Sequence, residues 1–166
     1  MLASPQTLFR LGAKKMQVQE ILERKGNQVY LLGPDCTMRE AAAKIAGWNV
    51  GAALVTDADD VLLGIISERD FLRTLVKFGG GVLDIRVRVL MTKSVVTCTP
   101  ETTVSDALSM MSRHHFRHLP VVRDGQILGL LSIRDLLEFR LEAFEDRDLD
   151  GDRTAEPAAP GGSPLF

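Results

Sequence analysis

"LGIISERDFL", residues 63–72, returns at 128–137 as "LGLLSIRDLL". Leu, Gly, Ser, Arg, Asp and the final Leu are the same in both phrases, which lie 65 residues apart. A phrase repeated this closely is what a duplicated unit leaves behind, so the rest of the chain is read against itself. At an offset of 66, Thr37-Met38-Arg39-Glu40-Ala41-Ala42 falls on Thr103-Val104-Ser105-Asp106-Ala107-Leu108. "NVGAALVTD" (49–57) falls on "HFRHLPVVR" (115–123). One residue is lost in the next turn, "DADDV" against "RDGQI", and the opening phrase follows in register.

Each copy carries the same series of patterns. A short apolar strand comes first, "VYLL" (29–32) or "SVVTC" (94–98), followed by a turn with Pro34 or Pro100. Met38, Ala41, Ala42 and Ile45 stand at i, i+3, i+4 and i+7, as do Val104, Ala107, Leu108 and Met111; this is the stripe of an amphipathic helix. Thr37 with Glu40 has the capping-box spacing, and Thr103 with Asp106 a weaker form of it. "AALVT" and "VLLGII", then "HLPVV" and "QILGLLS", read as hairpins around polar turns. A second helix opens at Ser67 or Ser132, with apolar positions at Phe71, Leu72 and Leu75 or Leu136, Leu137 and Leu141. The unit is β-α-β-β-α, and about 55 residues is marginal for a core of its own. The expected fold is therefore α/β (α+β): two pseudo-symmetric repeats packed sheet to sheet with a cleft between them. The divisions are an N-terminal extension (1–15), repeat 1 (16–78), a linker (79–90), repeat 2 (91–144) and an acidic, Pro- and Gly-rich disordered tail (145–166).

Composition narrows the function. A net charge of −2 over 166 residues offers no basic field for nucleic acid or an anionic membrane. No apolar run approaches the roughly 20 residues that span a bilayer, and the N-terminus lacks an apolar core of signal-peptide length. Its Ser, Arg and Lys content only weakly suggests a transit peptide. Cys36 and Cys98 occupy different places in the two copies, so they are expected as small buried or half-buried side chains in a reducing cytoplasm.

The duplicated unit, the closing "GIISERD" and "GLLSIRD", and "FRHLPVV" before the second hairpin together resemble the CBS domain. Two copies resemble a CBS pair, or Bateman module, of the stand-alone bacterial type, over roughly residues 16–144. The resemblance implies an adenosine-containing ligand in the cleft between repeats, with AMP, ADP, ATP, S-adenosylmethionine and NAD(H) all occurring in the family. It also implies pairing into a homodimer and regulation of a partner protein, here unidentified. AMP, ATP or NAD(H) is the expected ligand, and no cofactor is required.

The residue types suit that role. Ser67 and Asp70, and likewise Ser132 and Asp135, stand three apart where a strand becomes a helix. A helix start offers free N–H groups and a positive dipole end to a phosphate, and a carboxylate there can accept both hydroxyls of a ribose. The resemblance gives the ribose to Asp70 and Asp135, and the phosphate or sugar to Ser67 and Ser132. The same spacing also serves as a plain helix cap. Arg69 and Arg134 are unfavourable to the dipole unless they meet an anion. Arg117 and His118, with Leu119 and Pro120, align with Gly51, Ala52, Ala53 and Leu54 of the first copy. Arg suits phosphate, and His118 would be partly charged near neutral pH. Gly51, Ala52 and Ala53 would leave room for an adenine ring, so the two sites are expected to be unequal. Thr37 and Thr103 open their helices near the cleft as further candidates.

Two other patterns lead elsewhere. His114 and His118 are i, i+4, but Pro120 and the repeat alignment place His118 in a strand, away from a helical metal pair. "DRDLDGD" (146–152) begins like a calcium loop, but the position due a bidentate Glu is Pro157. With no nucleophile–base pair and no phosphate-loop motif, the chain reads as a regulatory binding module and not an enzyme. The alternatives are a dimerisation adaptor with degenerate pockets and, further off, an enzyme acting on adenine nucleotides.

Overall fold

The computed structural model describes residues 15–151. The sequence's N-terminal extension, save Lys15, and its tail beyond 151 lie outside the described residues. In chain order the elements are α1 (Val18–Lys25), β1 (Leu31–Leu32), α2 (Met38–Trp48), β2 (Ala52–Thr56), β3 (Leu62–Ser67), α3 (Glu68–Phe78), a 3-10 turn (Gly80–Asp84), α4 (Val87–Leu90), α5 (Val104–His114), β4 (His118–Arg123), β5 (Gln126–Ser132) and α6 (Ile133–Gly151). The calcium-like stretch up to Gly151 continues α6, past the boundary at 144 where the sequence places the tail.

The hairpins form where the paired apolar runs predict them, and their registers coincide. Ala52 faces Ser67 and Val55 faces Gly64 in the first; His118 faces Ser132 and Val121 faces Gly129 in the second. Both carry a bulge at the same place, after Val55 and after Val121. The second turn is the two-residue Asp124-Gly125, both at positive φ, which matches the right-handed twist of the strands. The longer first turn is held by the Asp57 carboxylate, which accepts from the N–H of Asp59 and Val61 at 3.0 and 2.9 Å.

The first strand of each copy differs. Leu31–Leu32 adds in parallel to β2, giving the order β1-β2-β3. "SVVTC" contributes only a single parallel bridge, Cys98 to Val121, beside a two-stranded β4-β5 sheet. Backbone bonds Cys98 N–H to Pro120 O and Val122 N–H to Cys98 O hold that bridge. A strand needs successive pairings, and β4 receives this segment at one residue only.

There are two cores. Leu32, Met38, Ala41, Ile45, Ala53, Val55, Ile66 and Val87 form the first. The second joins Cys98, Val104, Ala107, Met111, Leu119, Val121, Leu131, Leu136 and Phe139 to Val18, Ile21 and Leu22 of α1. Although α1 opens repeat 1, it docks on repeat 2, while the linker docks on repeat 1. The two dockings begin alike. Val104 N–H donates to Met16 O, and Val18 N–H to Thr102 O; Met38 N–H donates to Ile85 O, and Val87 N–H to Cys36 O. Leu22 lies against Gly129 as Met91 lies against Gly64. Each repeat is thus closed by a segment outside its own β-α-β-β-α run, at an internal offset of 69 instead of 66.

Candidate functional site

Where a strand turns directly into a helix, the first N–H groups need acceptors from nearby side chains. At α3, Asp70 Oδ2 accepts from the Ser67 N–H and hydroxyl at 2.8 and 2.6 Å. At α6, Asp135 Oδ2 accepts from the Ser132 N–H at 2.7 Å, and Ser132 Oγ accepts from the Asp135 N–H at 3.2 Å. Both pairs cap their helices, and both also border a cavity.

The first cavity, about 320 Å³, lies between the repeats. Ser67, Arg69, Asp70 and Arg73 line it from repeat 1, and His114, His115, Phe116, Arg117 and His118 from the α5–β4 junction of repeat 2. Thr92, Ser94, Val95 and Val96 of the connecting segment complete it. The junction turns sharply because His115 adopts a left-handed conformation (φ 56°) at the end of α5. Its carbonyl accepts from Arg69 Nη1 at 2.9 Å, which ties the two repeats across the cavity.

The second cavity, about 460 Å³, is the counterpart. Ser132, Arg134 and Asp135 line it from repeat 2, and Asn49, Val50, Gly51 and Ala52 from the α2–β2 junction of repeat 1. Lys25, Gln28, Tyr30 and Glu68 border it, and Arg117 and His118 are shared with the first cavity. Asn49, like His115, is left-handed at φ 56°, so the two junctions have one shape.

Not every residue singled out from sequence reaches these cavities. Thr37 and Thr103 line neither; each caps its helix, accepting from the N–H of Glu40 and Asp106 at 3.2 and 3.1 Å. Ala53 in β2 and Leu119 and Pro120 in β4 are buried and line neither cavity. Gly51 is small for a different reason than room for an adenine. A Cβ there would lie 3.0 Å from His118 Cε1, so its missing side chain admits the His118 ring. Burial of His118, reinforced by Arg117, lowers its pKa despite the opposing pull of Asp135 and Glu68, which works against the partial charge expected of it. Arg69, Arg73 and Arg117 bring fixed positive charge to the first cavity.

The sequence reading misses Arg73, Ser94, Phe116 and Lys25. Arg73 is one helical turn past Asp70, where a look at the i+3 position would find it. Lys25 and Ser94 correspond only at the offset of the docked segments, which the repeat alignment does not contain.

The cavities differ at the carboxylate. Lys25 Nζ donates to Asp135 Oδ2 at 2.7 Å and to Leu130 O at 2.8 Å. Burial would raise the Asp135 carboxyl, but the bonds from Lys25 and Ser132 outweigh it and hold it below its ordinary value. Among the described residues, no helix is long and apolar enough to cross a membrane.

The fold occurs in known proteins. A CBS-domain containing protein, ATU1752 of Agrobacterium tumefaciens, has a solved structure that superposes with a TM-score of 0.75 at 38% identity, covering 78% of this chain and 97% of that one. The CBS domain protein PAE2072 of Pyrobaculum aerophilum, solved in complex with AMP, superposes with a TM-score of 0.64 at 31% identity, covering 72% and 89%. An uncharacterized 17.7 kDa protein of Acidianus ambivalens is 37% identical over 116 residues, 69% of each chain. The CBS domain family pattern is matched twice, by residues 18–77 and 84–142. The chain belongs to the CBS domain family and carries two such domains in tandem.

Proposed function

We propose that the protein is a regulatory module that binds an adenine nucleotide (AMP, ADP, ATP or NAD(H)) between its repeats and reports that state to a partner protein. The observation that carries this reading is the first cavity, where a ribose-compatible carboxylate and three arginines converge across the repeat boundary. Asp70 Oδ1 is left for the ribose hydroxyls while Oδ2 caps the helix. Arg69, Arg73 and Arg117 supply fixed charge and forked donors for phosphate. At about 320 Å³ the cavity falls within the range of small-molecule sites, about 300–1,000 Å³. The AMP complex of the Pyrobaculum protein supports the choice of nucleotide. Ser132, Arg134 and Asp135 form the equivalent set in the second cavity.

A ligand that bridges two repeats regulates only if it favours one arrangement of them over another. Arg69 and the His115 carbonyl, which join the repeats beside Asp70, are the contact through which occupancy would act. The module works as a homodimer in this reading. Leu72 and Val76 on α3 and the corresponding Leu137 and Leu141 on α6 are large, apolar and exposed. Such a strip, repeated on both halves, suits a two-fold interface. Catalysis is not part of the proposal.

Isothermal titration of ligand-free protein with AMP, ATP, NADH and S-adenosylmethionine tests it. Saturable micromolar binding of an adenylate or NADH, without turnover, is the expected result. Silence from all four on folded protein would overturn it in favour of an adaptor whose dimer surface is its message.

A further inference from the structure

The duplication supplies its own control for the second cavity. The first backbone contacts that dock α1 on repeat 2 match those that dock the linker on repeat 1. Met16 answers to Ile85, Val18 to Val87 and Leu22 to Met91. Beyond them the segments part: α1 stays helical to Lys25, whereas α4 ends at Leu90 and Thr92 bridges Ile65, so the position 69 residues after Lys25 is Ser94 on an extended segment. Ser94 borders the cavity of Asp70, and Lys25 borders that of Asp135. At the first site the helix-capping oxygen of Asp70 meets only its own Ser67. At the second, an ammonium bonds Asp135 at 2.7 Å and is held in place by the Leu130 carbonyl at 2.8 Å.

A ribose entering the second cavity would meet a carboxylate whose charge is already paired: Lys25 holds the capping Oδ2 of Asp135 and sets its ammonium beside Oδ1, where Asp70 has no such cation. Lys25 and Asp135 are 29% and 22% exposed, so the pair is partly withdrawn from water and gains from that. Its ammonium keeps two acceptors where a hydroxyl would offer one donor. The rest of α1 is fixed by the buried Val18, Ile21 and Leu22, so the lysine returns to the same place.

We infer that Lys25 is a specificity-determining residue that closes the second cavity to ribose, leaving one open nucleoside site per chain at Asp70. The inference rests on the nucleotide-binding reading above and adds its stoichiometry.

The test is titration of the full chain with AMP, in wild type and two variants. Wild type should bind one AMP per chain. Lys25→Met, which keeps the aliphatic stem and removes the charge, should bind two. Ser94→Lys, which places an ammonium on the wall of the first cavity from an exposed segment, should weaken AMP at least tenfold while circular dichroism remains that of wild type. Two AMP per wild-type chain would overturn the inference and leave the nucleotide reading standing. So would one AMP in a folded Lys25→Met protein, or unchanged affinity in Ser94→Lys, which decides the matter should Lys25→Met fail to fold. AMP binding by none of the three, with ATP, NADH and S-adenosylmethionine equally silent, would overturn both.

Discussion

Gly64 and Gly129 stand at the same place in the two copies, yet their neighbours would respond differently to a methyl group. A Cβ at Gly64 would lie 2.6 Å from Met91 Sδ and 2.9 Å from the Thr92 carbonyl, which is backbone and bonded to Ile65. A Cβ at Gly129 would meet Leu22 Cδ2 at 2.6 Å, and the other atoms near it are also Leu22 side chain, which can rotate. Gly64→Ala is therefore expected to destabilise by about 1–3 kcal/mol in urea unfolding, and Gly129→Ala by less. Asp70→Ala should weaken the nucleotide found by titration tenfold or more, about 1.4 kcal/mol, with the fold retained. At Cys98, burial pushes the thiol up to about 11, while half-buried Cys36 is raised with no such extreme. Alkylation of native protein at pH 8 should label Cys36 well before Cys98. At this scale, the Ser-x-x-Asp pairs and Arg117 were legible because their chemistry is written in residue type and spacing. The lowered pKa of His118 was not, since it depends on burial of the ring between the two repeats and on Arg117 beside it.

The elements themselves were legible where a period ran long enough. α2 and α5 begin at the threonines whose spacing announced them, and the four longer strands keep their register. "SVVTC" reads as a strand by composition, but pairing is a tertiary matter, and β4 offers it a single bridge. The docking of α1 was hidden because contact across some 80 residues leaves no local mark. That docking has an electrostatic signature. The Asp135 carboxyl lies below its unfolded value when folded, so its contribution is fully present above the unfolded pKa and is lost as pH falls through the folded one. Wild type should lose stability toward acid more steeply than Lys25→Met, a difference of about 1 kcal/mol by urea midpoints at pH 7 and pH 3.

For the whole molecule, duplication was the most legible fact, and it set the architecture: two repeats, two cavities, one boundary. What the repeat alignment did not contain is that the halves are unequal in what closes them. The apolar strip on α3 and α6 belongs to this scale too. Val76 is 88% exposed and Leu72 65%. Val76→Glu together with Leu141→Glu should convert a dimer to a monomer by light scattering and leave the monomer folded, since neither side chain is buried.

The exchange of closing segments also sets an order of events on the ribosome. The first repeat can close once residues up to about 92 have emerged, since its docked segment follows directly. The second cannot. Its helix α1 is made early, with Val18, Ile21 and Leu22 unsheltered, and its seat among Met111, Leu131 and Phe139 is made last. Closing so long a loop is slow, and an apolar helix kept waiting is what chaperones bind and what associates wrongly between neighbouring chains. The first helix among the described residues to be made is thus the last to be buried.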